Sequence, residues 1–325
     1  MMERMKPETT YKHRSRPRAV SVLPTLCTLG NCVCGFASLH YAAKGDPLWP
    51  NVPISNFAIA GYLIFAAMIF DMLDGRMARL AKATSDFGGE LDSLADMVSF
   101  GAAPAFLAIQ LSGMLVSEGK LEYLGPLADD AGGRLVWIIG AIYVSCAALR
   151  LARFNIHNQH KEEAHLNFRG LPSPGAAGVV AASVIFFHTV QPMAKHHMPF
   201  HLPEPFREMA STSFPYVLPA ILLAAGLLMV SRFEYVHVVN QYLRGRKSFS
   251  YVARVVLLAL LVVWQPQLAA LLLIYAYAVS APVVWFWSRI FPKPAPATPP
   301  VVILEGRSPN PAETSVVEST RHHHN

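Results

Sequence analysis

Four aspartates in the first third of the chain lie at helical spacings. Asp71 and Asp74 are three residues apart, and Asp92 and Asp96 are four residues apart. Residues at these spacings share one face of a helix. Glycines bracket a short polar connection between the two pairs, so the chain can turn there. Two helices that meet at this corner would direct four carboxylates toward one point.

Carboxylates gathered in this way repel one another and need cations between them. Hard divalent ions such as Mg²⁺ prefer oxygen ligands and usually bind together with substrate phosphates. A pair of such ions suits phosphoryl transfer, because one ion can stabilise the leaving oxygens and the other the attacking oxygen. The aspartates therefore predict a site for two divalent cations, Mg²⁺ or Mn²⁺, that serves phosphoryl chemistry.

The surroundings of the aspartates favour a functional role. The segment GYLIFAAMIF precedes them and MVSFGAAPAFLAIQL follows them, and both are strongly apolar. Ionised carboxylates beside hydrophobic runs are expensive to desolvate and are found where something compensates them. The alternative is a polar helix cap and turn exposed to the cytosol. The spacing of the whole set favours catalysis.

The composition indicates the elements that must position these side chains. Of the 325 residues, 53% are hydrophobic and 15% are charged, whereas soluble domains have roughly 25% charged residues. Several apolar runs approach the ~20 residues that a helix needs to cross a bilayer. These features predict an all-α, polytopic membrane helical bundle. The net charge of +6 lies in loops and tails, which indicates contacts with membrane lipids or phosphates and no nucleic acid.

About eight transmembrane helices are predicted, and the first six form the catalytic core. Their approximate bounds are 23–43, 57–79, 88–115, 135–154, 170–190, 214–231, 251–264 and 268–287. A histidine- and proline-bearing loop is predicted over 191–212.

Four regions follow from this assignment. The predicted organisation is a basic cytosolic tail (1–19), a six-helix membrane core (20–231), a basic loop with two further helices (232–290) and a disordered tail (291–325).

The basic residues predict the orientation in the membrane. With eight helices both termini lie on one side, and that side holds all but five of the 27 Lys and Arg residues. The five on the opposite side are Lys44, Lys120, Arg134, Lys195 and Arg207. Basic loops favour the cytoplasmic side. Both tails and the acidic segment are therefore predicted at the cytoplasmic face of the cell (inner) membrane.

The acidic segment also fits a longer pattern. It reads Asp71-x2-Asp74-Gly75-x2-Ala78-Arg79-x8-Gly88-x3-Asp92-x3-Asp96. This resembles the signature of the CDP-alcohol phosphatidyltransferases at every signature position, and the resemblance covers roughly residues 20–231. It implies transfer of a phosphatidyl group from a CDP-linked lipid to an alcohol, with release of CMP.

The resemblance also implies roles for individual residues. Metal ligands would be Asp71, Asp74, Asp92 and Asp96, and Asp96 would be the general base for the attacking hydroxyl. The CDP-lipid would be bound by Gly75, Ala78, Arg79 and Gly88. Small side chains leave room for the nucleotide to approach the backbone, and arginine suits phosphate recognition. Members of this family commonly form dimers, so a homodimer is expected.

Four further runs indicate the acceptor. LPTLCTLGNCVCGF, SFGAAPA, RLARFN and FRGLPSP together resemble the integral-membrane phosphatidylserine synthases, which implies CDP-diacylglycerol and L-serine as substrates. Arg150 and Arg153 are one turn apart and are candidates to pair with the serine carboxylate. Asn155 and Ser173 are candidate hydrogen-bonding residues. Membrane anchoring by the arginines and helix capping by Ser173 are the alternatives.

Two other functions remain open at this point. The same chemistry with another acceptor, glycerol phosphate or inositol, would use the same acidic signature. A transporter or other non-catalytic membrane protein belongs to a different class, and we find no internal repeat that would indicate a transporter.

Overall fold

The structure, a computed structural model, describes residues 22–45, 55–80, 86–116, 125–126, 128, 130–159, 168–190, 203–235, 260 and 262–291. The predicted N-terminal tail (1–19) lies outside these residues. So do most of the predicted seventh helix (251–264) and the predicted C-terminal tail after residue 291.

Helices make up most of the described chain. They are α1 (Val22–Lys44), α2 (Asn56–Leu80), α3 (Asp86–Asp96), a π-helical segment (Met97–Ala102), α4 (Ala103–Val116), α5 (Ala131–Gln159), α6 (Ser173–Val190), α7 (Glu204–Val230) and α8 (Pro266–Ile290). Two short strands, β1 (Phe168–Arg169) and β2 (Glu234–Tyr235), pair antiparallel.

Within the described residues, seven helical segments are long and apolar enough to cross a membrane. The α3, π-helical and α4 segments form one of them, over Phe87–Val116. The prediction of an all-α polytopic membrane bundle is therefore confirmed. The chain divides into two compact units, Met1–Trp285 and Phe286–Asn325. Of the second unit the structure describes residues 286–291 alone.

The observed helix bounds agree with the predicted ones to within five residues, with one exception. α7 begins at Glu204, so the predicted loop over 191–212 is wrong from residue 204 onward. Pro203 lies at the N-cap and Pro205 in the first turn, where the missing N–H removes no helical hydrogen bond. The prolines mark the start of this helix, and its polar first turns lie outside the apolar run.

A widened turn in the third span lies directly after the second pair of aspartates. Ala103 donates its N–H to the carbonyl of Val98, five residues earlier, which is the π-helical pattern. Pro104 has no N–H to donate to the carbonyl of Phe100, and the Tyr143 hydroxyl donates to that carbonyl at 3.0 Å. A side chain of α5 thus replaces the donor that the proline lacks, and it attaches α5 to the third span.

Small residues bring α1 close to the second and third spans. The Ser38 hydroxyl of α1 donates to the carbonyl of Ala60 in α2 at 2.9 Å. A Cβ placed on Gly35 would lie 2.7 Å from Cα of Ser99, so only glycine permits this approach. The Ser99 hydroxyl in turn donates to the carbonyl of Asn31 at 2.9 Å. These contacts place the first half of α1 beside the acidic residues.

The two strands join α6 to the segment that follows α7. Phe168 pairs with Tyr235 and Arg169 with Glu234. Gly170 continues this strand pair and donates its N–H to the Phe233 carbonyl at 2.8 Å. Its φ is 89°, a backbone conformation that residues with a side chain rarely adopt. We call this strand pair the clasp (168–170 with 233–235). It holds the chain that leads into Ser173 at the start of α6.

Candidate active site

Three of the four signature aspartates meet where α2 and α3 come together. Asp71, Asp74 and Asp92 each offer a carboxylate oxygen, and these oxygens lie within 4.8 Å of one another. Asp74 is buried, and Asp71 and Asp92 are half-buried. The spacing in the sequence places the first two on one face of α2, and the meeting of α2 with α3 adds the third.

The donor set fits a divalent cation. Oδ2 of Asp74 and Oδ1 of Asp92 are buried and have no hydrogen-bond partner in the described part of the chain. Buried polar atoms are normally paired, and an unpaired carboxylate oxygen costs free energy. A hard cation with oxygen ligands would satisfy both atoms and offset the repulsion among the three carboxylates. The acidic cluster can therefore hold a divalent metal ion.

Asp96 lies one turn beyond Asp92, at the end of α3. It is buried and interacts electrostatically with Asp71 and Asp92, but it is not part of the three-residue group within 4.8 Å. Asn31 Nδ2 donates to its Oδ1 at 3.0 Å. The structure thus brings Asp96 to the edge of the cluster, where one of its oxygens is engaged by an amide and the other is not.

The first helix contributes two polar side chains to the site. Asn31 is fully buried, and its own Oδ1 has no partner among the residues described. Thr28, one turn earlier, donates to the Pro24 carbonyl at 3.1 Å and lies within hydrogen-bonding reach of the Asp74 carboxylate. Sequence reasoning singled out no role for Thr28. Its signal was the spacing of the polar residues Thr25, Thr28 and Asn31, each three apart, in the apolar first half of the helix.

Of the four residues expected to bind the CDP-lipid, the structure describes two fully and two by their backbone alone. Gly75 lies on α2 beside Asp74, and a Cβ placed on it would meet no atom within 4 Å. Ala78 and Arg79 continue α2, but their side chains lie outside the described part. Gly88 lies half-buried in the first turn of α3. Open space beside Gly75 is consistent with room for a nucleotide.

The acceptor candidates separate into two groups. Arg150 on α5 donates from Nη1 to the Ser173 hydroxyl at 2.8 Å, and it interacts electrostatically with Asp96 and Asp71. Its Nε is buried and unpaired within the described chain. Arg153, in contrast, is exposed on α5. The structure therefore unites Arg150 and Ser173 beside the acidic cluster and leaves Arg153 at the surface.

Asn155 lies five residues beyond Arg150 on the same helix. Its Oδ1 is 3.1 Å from the hydroxyl of Ser93, the neighbour of Asp92 on α3. This contact joins α5 to α3, and sequence reasoning did not identify Ser93. In the structure Asn155 thus supports the helix that carries the aspartates.

A comparison with known protein families identifies the family of this chain. The model for CDP-alcohol phosphatidyltransferases matches residues 21–204 of this chain, more than half of its length. The chain belongs to the CDP-alcohol phosphatidyltransferase family. It is accordingly a membrane-bound phosphatidyltransferase.

Relatives of this chain in three organisms carry the name CDP-diacylglycerol–serine O-phosphatidyltransferase. One from Helicobacter pylori is 32% identical over 214 residues, which cover 66% of this chain and 71% of the relative. One from Methanocaldococcus jannaschii is 34% identical over 215 residues, 66% of this chain and 79% of the relative. One from Bacillus subtilis is 34% identical over 158 residues, 48% of this chain and 72% of the relative.

Proposed function

We propose that this phosphatidyltransferase transfers the phosphatidyl group of CDP-diacylglycerol to L-serine, giving phosphatidylserine and CMP. The observation that carries the proposal is the acidic cluster of Asp71, Asp74 and Asp92, with Arg150 and Ser173 beside it. The bacterial and archaeal relatives named for this reaction support the choice of serine.

The acidic cluster is proposed to hold two divalent ions, Mg²⁺ or Mn²⁺, with Asp71, Asp74, Asp92 and Asp96 as ligands. Such ions would supply positive charge that offsets the negative charge of the donor substrate's diphosphate. The unpaired oxygens of Asp74 and Asp92 are the atoms that such ions would satisfy first. Asp96, at the edge of the cluster, remains available for a second task.

That second task is the acceptance of a proton. The serine hydroxyl oxygen attacks the phosphorus that carries diacylglycerol, the bond from this phosphorus to the oxygen of CMP breaks, and CMP leaves with the bonding electrons. The hydroxyl proton passes to Asp96. Because Asn31 donates to Oδ1 of Asp96, Oδ2 is the atom that we propose as the proton acceptor.

The two substrates are proposed to approach from different helices. The nucleotide lies along α2, where Gly75 leaves open space and Ala78 and Arg79 of the signature follow, and it extends to Gly88 in the first turn of α3. Serine lies toward α5 and α6. There the Arg150 guanidinium pairs with the serine carboxylate, and the Ser173 hydroxyl, which accepts from Arg150, orients that guanidinium.

The proposed setting extends from the site to the whole chain. A catalytic core spans 20–231, followed by a basic loop and two further helices over 232–290, with tails at either end. The active site and both termini face the cytoplasm at the cell membrane, as the basic residues predict. Association of two chains into a homodimer through their helices also remains a proposal.

An acceptor panel tests the proposed function. Purified protein receives CDP-diacylglycerol with Mg²⁺ or Mn²⁺ and one labelled acceptor: L-serine, glycerol phosphate or inositol. We expect label to enter lipid, and CMP to be released, with serine alone. Labelling from another acceptor instead of serine would overturn the choice of substrate. The absence of CMP release with every acceptor would overturn the enzymatic assignment.

A further inference from the structure

The last described helix approaches the proposed acceptor site although it lies outside the segment that the family model matches (21–204). A Cβ placed on Gly175, two residues after Ser173, would lie 3.4 Å from Cε1 of Tyr277 on α8. The Tyr277 ring therefore packs against the first turn of α6. This is the turn whose Ser173 hydroxyl accepts a hydrogen bond from Arg150.

Tyr277 also lies within electrostatic range of Arg150, and it is half-buried. Arg150 uses Nη1 toward Ser173, while its buried Nε has no partner in the described residues. A guanidinium holds five donors in a fixed plane, so a second oxygen partner in addition to Ser173 would determine how that plane is oriented.

The clasp holds Tyr277 in place. The Tyr235 and Tyr277 ring centroids are 5.6 Å apart, and the Tyr235 hydroxyl donates to the carbonyl of Ala278 at 2.8 Å. Tyr235 pairs with Phe168, shortly before Ser173. One chain of contacts thus links α8, the clasp and the start of α6 around Arg150.

We propose that Tyr277 is a positioning residue of the acceptor site. Its hydroxyl oxygen, together with Ser173, holds the Arg150 guanidinium in the orientation that presents the remaining N–H groups to the acceptor's carboxylate. The inference rests on the proposed function, because the serine carboxylate is the group that Arg150 would meet. It also gives α8 a role in recognising the acceptor.

The same helix offers a matched control. The Tyr275 hydroxyl lies 2.6 Å from the hydroxyl of Ser183, in the interior of α6. Tyr275 and Tyr277 are thus two tyrosines of one helix, both packed against α6, and of the two only Tyr277 interacts electrostatically with Arg150. Each variant removes one hydroxyl group from the same helix, and only Tyr277→Phe removes the oxygen that the proposal assigns to Arg150.

The experiment measures steady-state kinetics for both substrates in wild type, Tyr277→Phe, Tyr275→Phe, Arg150→Lys and the double variant Arg150→Lys/Tyr277→Phe. For Tyr277→Phe we expect the KM for serine to rise by about 10-fold, the size expected when a charged group loses the polar partner that the proposal assigns to it. The KM for CDP-diacylglycerol stays unchanged, which also shows that the variant is folded. Tyr275→Phe keeps both KM values.

The double variant separates positioning from packing. If Tyr277 acts through Arg150, the second change adds little once Arg150 is replaced, because the two residues share one interaction. Fully additive losses, or an unchanged serine KM in Tyr277→Phe, would overturn the inference. Serine-dependent CMP release by the wild-type protein is measured first. Its absence would refute the proposed function, and that result is distinct from a failure of any variant comparison.

Discussion

Single carboxylate oxygens are the smallest features on which the proposed chemistry depends. Asp74 and Asp92 each keep one buried oxygen without a hydrogen-bond partner in the described chain, next to a third carboxylate, that of Asp71. Such an arrangement destabilises the fold unless a cation is bound, because charge is desolvated and like charges are close. The aspartates are therefore arranged in a way that favours cation binding and lowers the stability of the fold without a cation.

Replacement of these carboxylates by amides tests that conclusion. Asp74→Asn and Asp92→Asn should each lower CMP release by more than about 100-fold, since outer-shell changes alone cost 10- to 100-fold in metal sites. Both variants should remain folded and inserted in the membrane, because the amide removes a repelling charge. The measurement is CMP release by purified protein at saturating Mn²⁺, with thermal unfolding as the check on folding.

A remote aspartate supplies the control for these variants. Asp130 accepts a hydrogen bond from the N–H of Gly133 at 3.1 Å, at the start of α5, so Asp130→Asn should leave turnover unchanged. Retained turnover in both Asp74→Asn and Asp92→Asn would refute the metal-binding interpretation.

The space beside Gly75 leads to a second prediction for a single residue. A methyl group there meets no protein atom within 4 Å, so Gly75→Ala should not destabilise the fold. If the nucleotide occupies this space, the KM for CDP-diacylglycerol should rise by about 10-fold, within the range expected for overpacking, while the KM for serine changes little. Gly89→Ala, also in open space but outside the signature, is the control. Equal kinetics in the two variants would argue against a nucleotide at Gly75.

Among the structural elements, α1 contributes more contacts to the acidic site than its apolar sequence indicates. Its Asn31 engages Asp96, and its Gly35 contacts Ser99 in the π-helical segment. The widened turn of that segment depends in part on Pro104, whose missing N–H is replaced by the Tyr143 hydroxyl. α1 thus contacts the Asp96 carboxylate directly and packs against the segment that follows it.

A substitution at Gly35 should disturb this arrangement. A Cβ would lie 2.7 Å from Cα of Ser99, and since backbone atoms cannot yield as a side chain does, α1 must shift. We expect Gly35→Ala to cost about 1–3 kcal/mol in the free energy of unfolding. It should also lower kcat, because Asn31 moves away from Asp96.

The measurements for this variant are thermal unfolding in detergent and turnover at saturating substrates. Phe36→Leu is the control on the same helix, since Phe36 is 69% exposed and should tolerate the change. A Gly35→Ala protein with wild-type stability and kcat would contradict the role given to α1.

On the scale of the whole molecule, the orientation in the membrane determines which compartment supplies the substrates. The basic residues predict that the acidic cluster faces the cytoplasm. Glu90 at the start of α3 and Arg134 at the start of α5 are both exposed, and the predicted topology places them on opposite sides.

Single cysteines at these two positions test the orientation, in a background whose four native cysteines are replaced. A membrane-impermeant maleimide added to intact bacterial cells should label Arg134→Cys, and it should label Glu90→Cys only after the membrane is permeabilised. The reverse pattern would place the active site on the outer face and refute the predicted topology.

The sequence by itself determined the class of fold, the helix bounds to within a few residues and the acidic signature. These features are local. The length of an apolar run and the spacing of Asp71, Asp74, Asp92 and Asp96 can be recognised in the sequence without knowing how the helices pack. The start of α7 was missed because its polar first turns carry no apolar signal and its prolines resemble those of a loop.

Only the tertiary structure decided which distant residues meet. Asn31 is 65 residues from Asp96 along the chain, and Arg150 is 23 residues from Ser173. Nothing local distinguishes Arg150 from Arg153, one turn away, yet one contacts Ser173 beside the site and the other lies at the surface. The side on which a helical residue lies depends on what the helix packs against, and that is settled when the helices assemble.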